Sequence, residues 1–346
     1  MADASGTPRR RGRLRRSDCT AQGIARLGAG RGFSFRDADG ERIGDEETLA
    51  RIGELAIPPA WKEVWICPDP LGHLQATGID AAGRKQYLYH ERWQQRRAEL
   101  KFEVVREFAR ALPRLRRGVT ADLRRQGMPR ERALACAVRL LDIGFFRVGG
   151  EVYAEENESY GLATVRREHV TVKADEVVFD FPAKSGQRRI QSIRDRPARR
   201  AIETLRRRRS GPEDLLAWRQ AGEWRDVRSE DVNDYFQEKI GERFSAKDFR
   251  TWHGTVLAAV ELASAPEPTS EAAAKRSVRA AVERVAEALG NTPAVCRRSY
   301  IDPRVIERFR EGETISPRAS LGGRMTLRAR TRIEREVRAL ISSSKS

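Results

Sequence analysis

Two hydrophobic periods divide the chain. Between Gly32 and Tyr89 the apolar positions are short and strand-like. Phe33-Ser34-Phe35 alternates, and Val64-Trp65-Ile66-Cys67 and His73-Leu74-Gln75-Ala76-Thr77 read as strands. Asp37–Gly40 and Pro68–Gly72 read as turns beside them. This spacing predicts a small sheet-rich domain over 18–90. It closes on Gly83-Arg84-Lys85-Gln86-Tyr87-Leu88-Tyr89-His90, where basic residues interleave with aromatics.

From about residue 91 the period lengthens. Leu100, Val104, Phe108 and Leu112 recur every four residues as one apolar stripe, and Pro113 is expected to end that helix. Arg130–Ile143 repeats the theme, with Ala133, Leu134, Ala137, Leu140 and Leu141 on one face. A β-interlude follows: Val170 and Val172, then Val177–Phe181, then Arg188–Ile193, the last two joined through Pro182–Gln187. Helices are expected over 195–209, 229–242, 246–262, 271–289, 303–311 and about 325–341, with 263–270 as an exposed connector. The predicted class is α+β. A small β-rich N-terminal domain (18–90) precedes a larger, mostly α-helical domain (91–346) that carries a three-stranded β element.

Charge then narrows the partner. The 346 residues include 67 Lys or Arg against 50 Asp or Glu, a formal charge of +17. Residues 1–17, with six Arg and one Asp, read as a disordered basic tail of net +5, which leaves about +12 for the folded part. So large an excess points to a polyanion, and nucleic acid is the commonest one, unless a compositional bias has inflated Arg everywhere. Only nine of the 67 are Lys. A Lys at a suggestive place therefore draws notice, because it can release a proton where Arg cannot. No window approaches the ~18 apolar residues of a membrane span, and the N-terminus lacks the apolar core of a signal peptide. A cytoplasmic protein is the expectation. Cys19, Cys67, Cys136 and Cys296 and the four histidines are too scattered for a metal site or disulfide framework. No metal and no small-molecule cofactor are expected.

Four local features of the helical part carry candidate chemistry. Arg147, after Phe145-Phe146 and before Val148-Gly149-Gly150, is either a snorkelling helix cap or a cation that a Gly turn lets approach a ligand. Lys184 occupies a hairpin tip, Ala-Lys-Ser-Gly, where polar residues are common. Lys247 and Arg250, at i and i+3, share a helix face, which is either a solvated basic face or an anion seat. Asn291-Thr292-Pro293 leads to Tyr300, and a lone Tyr is ordinarily packing. Arg206–Arg209 reads as a solvated helix end. Taken together, two Arg, two Lys, an amide and a phenol equip a chain for metal-free phosphodiester transesterification. The phenol attacks phosphorus, guanidinium forks match the charged oxygens, and a Lys protonates the leaving hydroxyl.

In that order these residues resemble the type IB DNA topoisomerases of the poxvirus-like and bacterial branch. The resemblance runs from about Arg31 to Tyr300 and more loosely to about residue 320. It rests on five ordered motifs: Gly83–Tyr89, the Arg147 segment, Ala183-Lys184, Lys247-Asp-Phe-Arg250-Thr, and Gly290–Pro293 leading to Tyr300. It implies that Tyr300 is the nucleophile that becomes 3′-phosphotyrosyl. It implies that Arg147 and Arg250 stabilise the transition state, that Lys184 protonates the leaving 5′-oxygen, and that Lys247 supports it. Asn291 stands where poxvirus members have His, as an uncharged donor to the phosphoryl oxygen. Arg84, Gln86, Tyr87 and Tyr89 match DNA contacts of the small domain, and Tyr153 matches a phosphate contact whose basic neighbours are here Gly150 and Val152. The partner implied is duplex DNA, held by a monomer that closes as a clamp. Tyrosine recombinases share the Arg, Lys and Tyr chemistry but usually carry His-x-x-Arg where this chain has Lys247-x-x-Arg250. A non-catalytic DNA-binding protein with a degenerate site is the other alternative.

Overall fold

A computed structural model describes residues 12–30, 32–149, 159–183, 187–316 and 327–342. The chain divides into two compact units, Met1–Lys101 and Phe102–Ser346. The division falls inside a helix that begins at Glu91.

The first unit is built on five antiparallel strands: β1 (Ile24–Ala29), β2 (Gly32–Arg36), β3 (Lys62–Ile66), β4 (Leu74–Ile79) and β5 (Lys85–Tyr89), in the order β2-β1-β3-β4-β5. Helix α1 (Glu46–Glu54) starts where the Asp45 carboxylate accepts from Thr48 N–H at 2.9 Å, satisfying one orphan donor of its first turn. Ile24, Ile52, Val64, Ile66 and Ala76 form the core between helix and sheet. Arg15, within the segment read as a tail, pairs with the sheet: its N–H donates to Leu71 O (2.9 Å) and its carbonyl accepts from His73 N–H (2.8 Å). Residues 1–11 lie outside the described residues.

In the second unit the expected stop at Pro113 does not occur. Helix α2 runs Glu91–Asp122 straight through the exposed proline. A proline in a helix interior forfeits a hydrogen bond at a cost of about 3 kcal/mol. Burial of Val105, Phe108, Leu112, Leu115 and Val119 on both sides outweighs that loss. Leu100 is not on the buried stripe, being 58% exposed. Helix α3 (Arg130–Gly144) is buried on nearly every face from Ala133 to Asp142, so it is the central helix of the unit and not a surface helix with one apolar face. Strands β6 (Val170–Val172), β7 (Val177–Ala183) and β8 (Gln187–Ile193) form the expected three-stranded antiparallel sheet. Val177, Phe179, Phe181 and Ala183 alternate inward along β7.

Helices α4 (Arg196–Arg206), α5 (Ser229–Ile240), α6 (Ala246–Ala263), α7 (Glu271–Leu289), α8 (Pro293–Ser299), α9 (Pro303–Arg310) and α10 (Leu327–Ser342) complete the unit, with the hairpin β9 (Ala217–Gln220)–β10 (Glu223–Asp226) between α4 and α5. Arg208 departs from the solvated reading of Arg206–Arg209. It is buried, donating to Leu215 O and Pro212 O at 2.7 Å each. No described helix is long and apolar enough to cross a membrane.

Candidate active site

The site is assembled around the C-terminus of α7. A helix end leaves carbonyls unpaired and carries the negative end of the macrodipole, so it draws cations. Three arginines from three different elements take the three terminal carbonyls. Arg147 Nη2 donates to Gly290 O (2.7 Å) and Asn291 Oδ1 (2.6 Å). Arg250, in the second turn of α6, donates through Nη2 to Leu289 O (2.6 Å) and through Nη1 to Phe145 O (2.8 Å). Arg189, on β8, reaches Ala288 O at 3.3 Å and Phe145 O at 3.4 Å.

Local sequence explains each placement. Helix α3 ends at Phe145 in a left-handed conformation (φ 54°), and Phe146 then packs edge-on against Phe179 at 4.9 Å. The backbone of Arg147 is fixed from outside the helix: its carbonyl accepts from Leu162 N–H at 2.8 Å, and Val148 O accepts from Ala163 N–H at 2.7 Å. That pairing brings Gly149 and Gly161 so close that a Cβ on Gly161 would meet Gly149 Cα at 2.2 Å, so neither position admits a side chain without displacement. The Gly turn beside Arg147 therefore serves a close backbone approach.

Asn291 and Tyr300 lie at the two ends of the short helix α8. Thr292 caps it, its hydroxyl accepting from Val295 N–H (3.4 Å), and Pro293 fills the first helical position, where its missing N–H costs nothing. Tyr300 ends it, donating its N–H to Cys296 O at 2.9 Å. Its ring lies 5.3 Å from the Arg250 guanidinium carbon. One end of α8 thus meets Arg147 and the other meets Arg250.

The electrostatics favour an anion. Among the described residues no carboxylate is paired with Arg147, Arg189 or Arg250. Arg250 is 5% exposed; burial and then the charge of Arg147 push its pKa down to about 10, against the opposing effect of the Tyr300 phenol. Burial and Arg147 likewise lower Arg189. Arg250 Nε, Arg189 Nε and Asn291 Nδ2 are buried donors without a hydrogen-bond acceptor. Other buried side-chain donors of this protein, such as Arg139 Nε and Arg208 Nε, also lack a hydrogen-bond acceptor. These three point to an acceptor through their convergence at one helix end. A phosphodiester, whose non-bridging oxygens accept bidentately from guanidinium, has the matching chemistry. Among the described residues no cluster of three His, Cys, Asp or Glu can hold a metal ion.

Of the six residues expected in the site, the structure brings together Arg147, Arg250, Asn291 and Tyr300. Lys247, in the first turn of α6, is exposed, while Arg250 three residues later is buried, so the two do not share one environment. Lys184 and Tyr153 lie outside the described residues. In the first unit, Arg84 Nε (3.1 Å) and Gln86 Nε2 (2.8 Å) both donate to Asp80 Oδ2. Tyr87 and Tyr89, two apart on β5, stack with ring centroids 6.2 Å apart and 18° between planes.

Two features escaped the sequence reading. Arg189 pairs opposite Phe181 in the sheet register, and opposed residues of an antiparallel pair share a face. The inward alternation of β7 therefore carried a signal that Arg189 points inward. The second is a buried ionic cluster built from residues up to 218 positions apart, which leaves no local pattern. Arg116 bonds Asp142 through Nε and Nη2 (2.8 Å each) and Glu334 through Nη1 (2.6 Å). Arg330 donates to His253 Nε2 at 2.6 Å and approaches Asp142 at 3.2 Å, tying α10 to α3 and α6. Burial pushes the His253 pKa down to about 4.

A family model of the eukaryotic DNA topoisomerase I catalytic core matches residues 90–315, and one of the bacterial DNA topoisomerase IB N-terminal domain matches residues 32–80. The first match contains every residue of the arginine cluster and Tyr300. Arg84–Tyr89 fall between the two, and α10 lies beyond both. DNA topoisomerase 1B of Acanthamoeba polyphaga mimivirus is 30% identical over 295 residues, covering 81% of this chain and 85% of the relative. DNA topoisomerase 1B of Vaccinia virus is 21% identical over 265 residues, covering 72% and 76%. DNA topoisomerase 1 of Candidozyma auris is 31% identical over 157 residues, covering 45% of this chain and 20% of the relative. With a catalytic-core match across most of its length and a viral relative 30% identical over four fifths of it, this chain belongs to the type IB DNA topoisomerases, in their poxvirus-like and bacterial branch.

Proposed function

We propose that this DNA topoisomerase relaxes supercoiled duplex DNA by reversible transesterification at Tyr300. The Tyr300 phenol gives its proton to solvent water and its oxygen bonds to phosphorus, while the bond from phosphorus to the 5′-oxygen breaks. Lys184, which follows β7 in the sequence, gives the proton that the leaving 5′-oxygen takes up, and Lys247 supports it. The 3′ end stays on the enzyme as a phosphotyrosyl ester, the freed strand swivels, and the 5′-hydroxyl attacks to reseal. The ester conserves the energy of the broken bond, so the cycle calls for neither ATP nor a metal ion.

The observation that carries this reading is the convergence of Arg147, Arg250 and Asn291 on one helix end beside the Tyr300 ring, with donors left over. As the phenol adds, phosphorus gains an oxygen and its non-bridging oxygens gain charge. Prepositioned guanidinium and amide donors stabilise that state more than the ground state. Asn291 contributes an uncharged donor, so its share does not titrate. In the small domain of 18–90, Arg84, Gln86, Tyr87 and Tyr89 contact the duplex, with Tyr153 on a phosphate. A monomer closes on DNA as a clamp, in the cytoplasm at the nucleoid.

The test is relaxation of negatively supercoiled plasmid in excess chelator. Wild-type protein relaxes it without ATP, and Tyr300→Phe binds DNA with unchanged affinity but leaves it supercoiled. Relaxation by Tyr300→Phe, or failure of the wild type in chelator, contradicts the proposal. A tyrosine recombinase would join strands between two paired sites, and no such product is expected.

A further inference from the structure

The third arginine of the cluster has no assigned part in the reaction. Arg189 is largely buried on β8, and its three acceptors, Ala288 O, Phe145 O and Gln191 Oε1, all lie at the long limit of 3.3 to 3.4 Å. Such bonds hold a guanidinium weakly. Its Nε has no acceptor, and among the described residues it has no carboxylate partner. A partly buried cation this poorly compensated is costly where it stands. Arg116, which is more deeply buried, is compensated instead: it holds two carboxylates with four bonds of 2.6 to 2.8 Å.

Where Arg189 sits gives the cost a use. Gly290 has φ +60°, and a Cβ there would lie 3.0 Å from Arg189 Nη1, so the guanidinium rests directly on the Gly290–Asn291 turn. Arg147 grips the same turn through Gly290 O and Asn291 Oδ1. Arg189 also shares the Phe145 carbonyl with Arg250. It therefore touches the turn that anchors Arg147 and the carbonyl that anchors Arg250.

We infer that Arg189 is a positioning residue for strand cleavage, a third guanidinium that holds the Gly290–Asn291 turn beneath Arg147 and adds uncompensated positive potential at the phosphate. The inference rests on the transesterification reading above. A phosphodiester carries one negative charge, and the state formed by phenolate attack approaches two. A fixed cation behind the first arginines lowers the second state more than the first. Arg189 should therefore act on the cleavage rate and leave ground-state DNA binding nearly untouched.

The experiment compares Arg189→Lys, Arg189→Gln and Arg189→Met in the full chain on a duplex whose cleaved strand cannot religate. It measures the single-turnover rate of covalent adduct formation, the Kd for intact duplex, and Tm. Loss of one direct oxyanion donor costs about 100- to 1,000-fold, so a cation one layer behind should cost roughly 10- to 100-fold. Arg189→Met and Arg189→Gln should both cleave in that reduced range with Kd within twofold of wild type. Arg189→Lys, which keeps charge but not the fork, should recover at least tenfold over Arg189→Gln. A rate for Arg189→Gln equal to or above that of Arg189→Lys overturns the inference, because the group then serves only as a polar cap of α7. Arg189→Met within threefold of wild type overturns it too. Should Arg189→Met lower Tm enough to compromise folding, the Lys and Gln pair still decides. Tyr300→Phe is run alongside: an adduct from that variant sinks the transesterification reading itself, whatever Arg189 does.

Discussion

Gly254 packs directly against Tyr300, and Gly254→Ala measures how finely the nucleophile is placed. Gly254 lies in the middle of α6, where Ala would ordinarily stabilise a helix by about 1 kcal/mol. Here a Cβ would stand 2.5 Å from Tyr300 O, 3.0 Å from Tyr300 Cβ and 3.2 Å from Tyr300 C. Ordinary contact begins at 3.4 Å, so the Tyr300 main chain must retreat by about 0.9 Å, a shift no rotamer change can absorb because the atoms are backbone. Thr255 Oγ1 donates to the same carbonyl at 3.3 Å, which ties that retreat to the neighbouring turn. Overpacking costs about 1–3 kcal/mol, and the helix gain offsets part of it, leaving a net loss of about 0–2 kcal/mol. The chemical cost is larger, since a displacement of about 1 Å from attack geometry reduces a rate by about 100-fold. The assay is covalent adduct formation under single turnover, with Tm and duplex Kd measured in parallel. Gly254→Ala should remain folded, bind DNA normally and form adduct about 100 times more slowly. Adduct formation at the wild-type rate with an unchanged Tm would refute the claim that α6 sets the position of Tyr300.

Three further outcomes follow from the same geometry. Arg116→Met strands Asp142 and Glu334 in the core with only Arg330 to serve both, and thermal or denaturant unfolding should register a loss of roughly 3 kcal/mol. His253 has a folded pKa of about 4, below the 6.5 it has when solvated, so the unfolded chain binds the extra proton first as pH drops. Stability is therefore full above pH 6.5 and declines toward pH 4, by up to roughly 3 kcal/mol; His253→Gln should flatten this part of a Tm profile. Below that window Asp142 adds a further loss: its burial raises the pKa, but Arg116 and Arg330 outweigh it and hold the carboxyl well below the usual range. Arg84→Ala breaks an exposed pair with Asp80, the Arg84 side chain being 73% exposed, and should change stability by less than about 1 kcal/mol. If Arg84 meets a phosphate, the slope of log affinity against log salt should fall by about one, read by titration at several salt concentrations.

What the sequence made legible was what local periodicity encodes. The inward alternation of β7 and the 3.6-residue period of α6 and α7 are visible in the chain and present in the fold. Elements with little buried surface were not. Strand β1 buries only Ile24 among six residues, so it has no alternation to read, and α1 buries only Ile52. The β9–β10 hairpin turns through Ala221 and Gly222, both with positive φ, and an Ala in that place hides the usual Asn-Gly or Asp-Gly signature. Pro113 misled because packing on either side of it overrides the local penalty.

At the site, the residue types and their order were readable, and their environments were not. Lys247 and Arg250 look equivalent at i and i+3, yet one is solvated and the other buried against α7. Thr292-Pro293 is a helix-start signal in its own right, and α8 turns it into the spacer between Asn291 and Tyr300. Arg189 and the Arg116 cluster depend on long-range pairing, which a single sequence does not display.

The central claim is that the Tyr300 oxygen forms the bond to DNA. Incubating the protein with a duplex that traps the cleaved strand, digesting the product and mapping the attached nucleotide by mass spectrometry tests it most directly. The account predicts one modified peptide, carrying a 3′-phosphonucleotide on Tyr300, and none from Tyr300→Phe. Attachment at another residue, or through a 5′-phosphate, would contradict it.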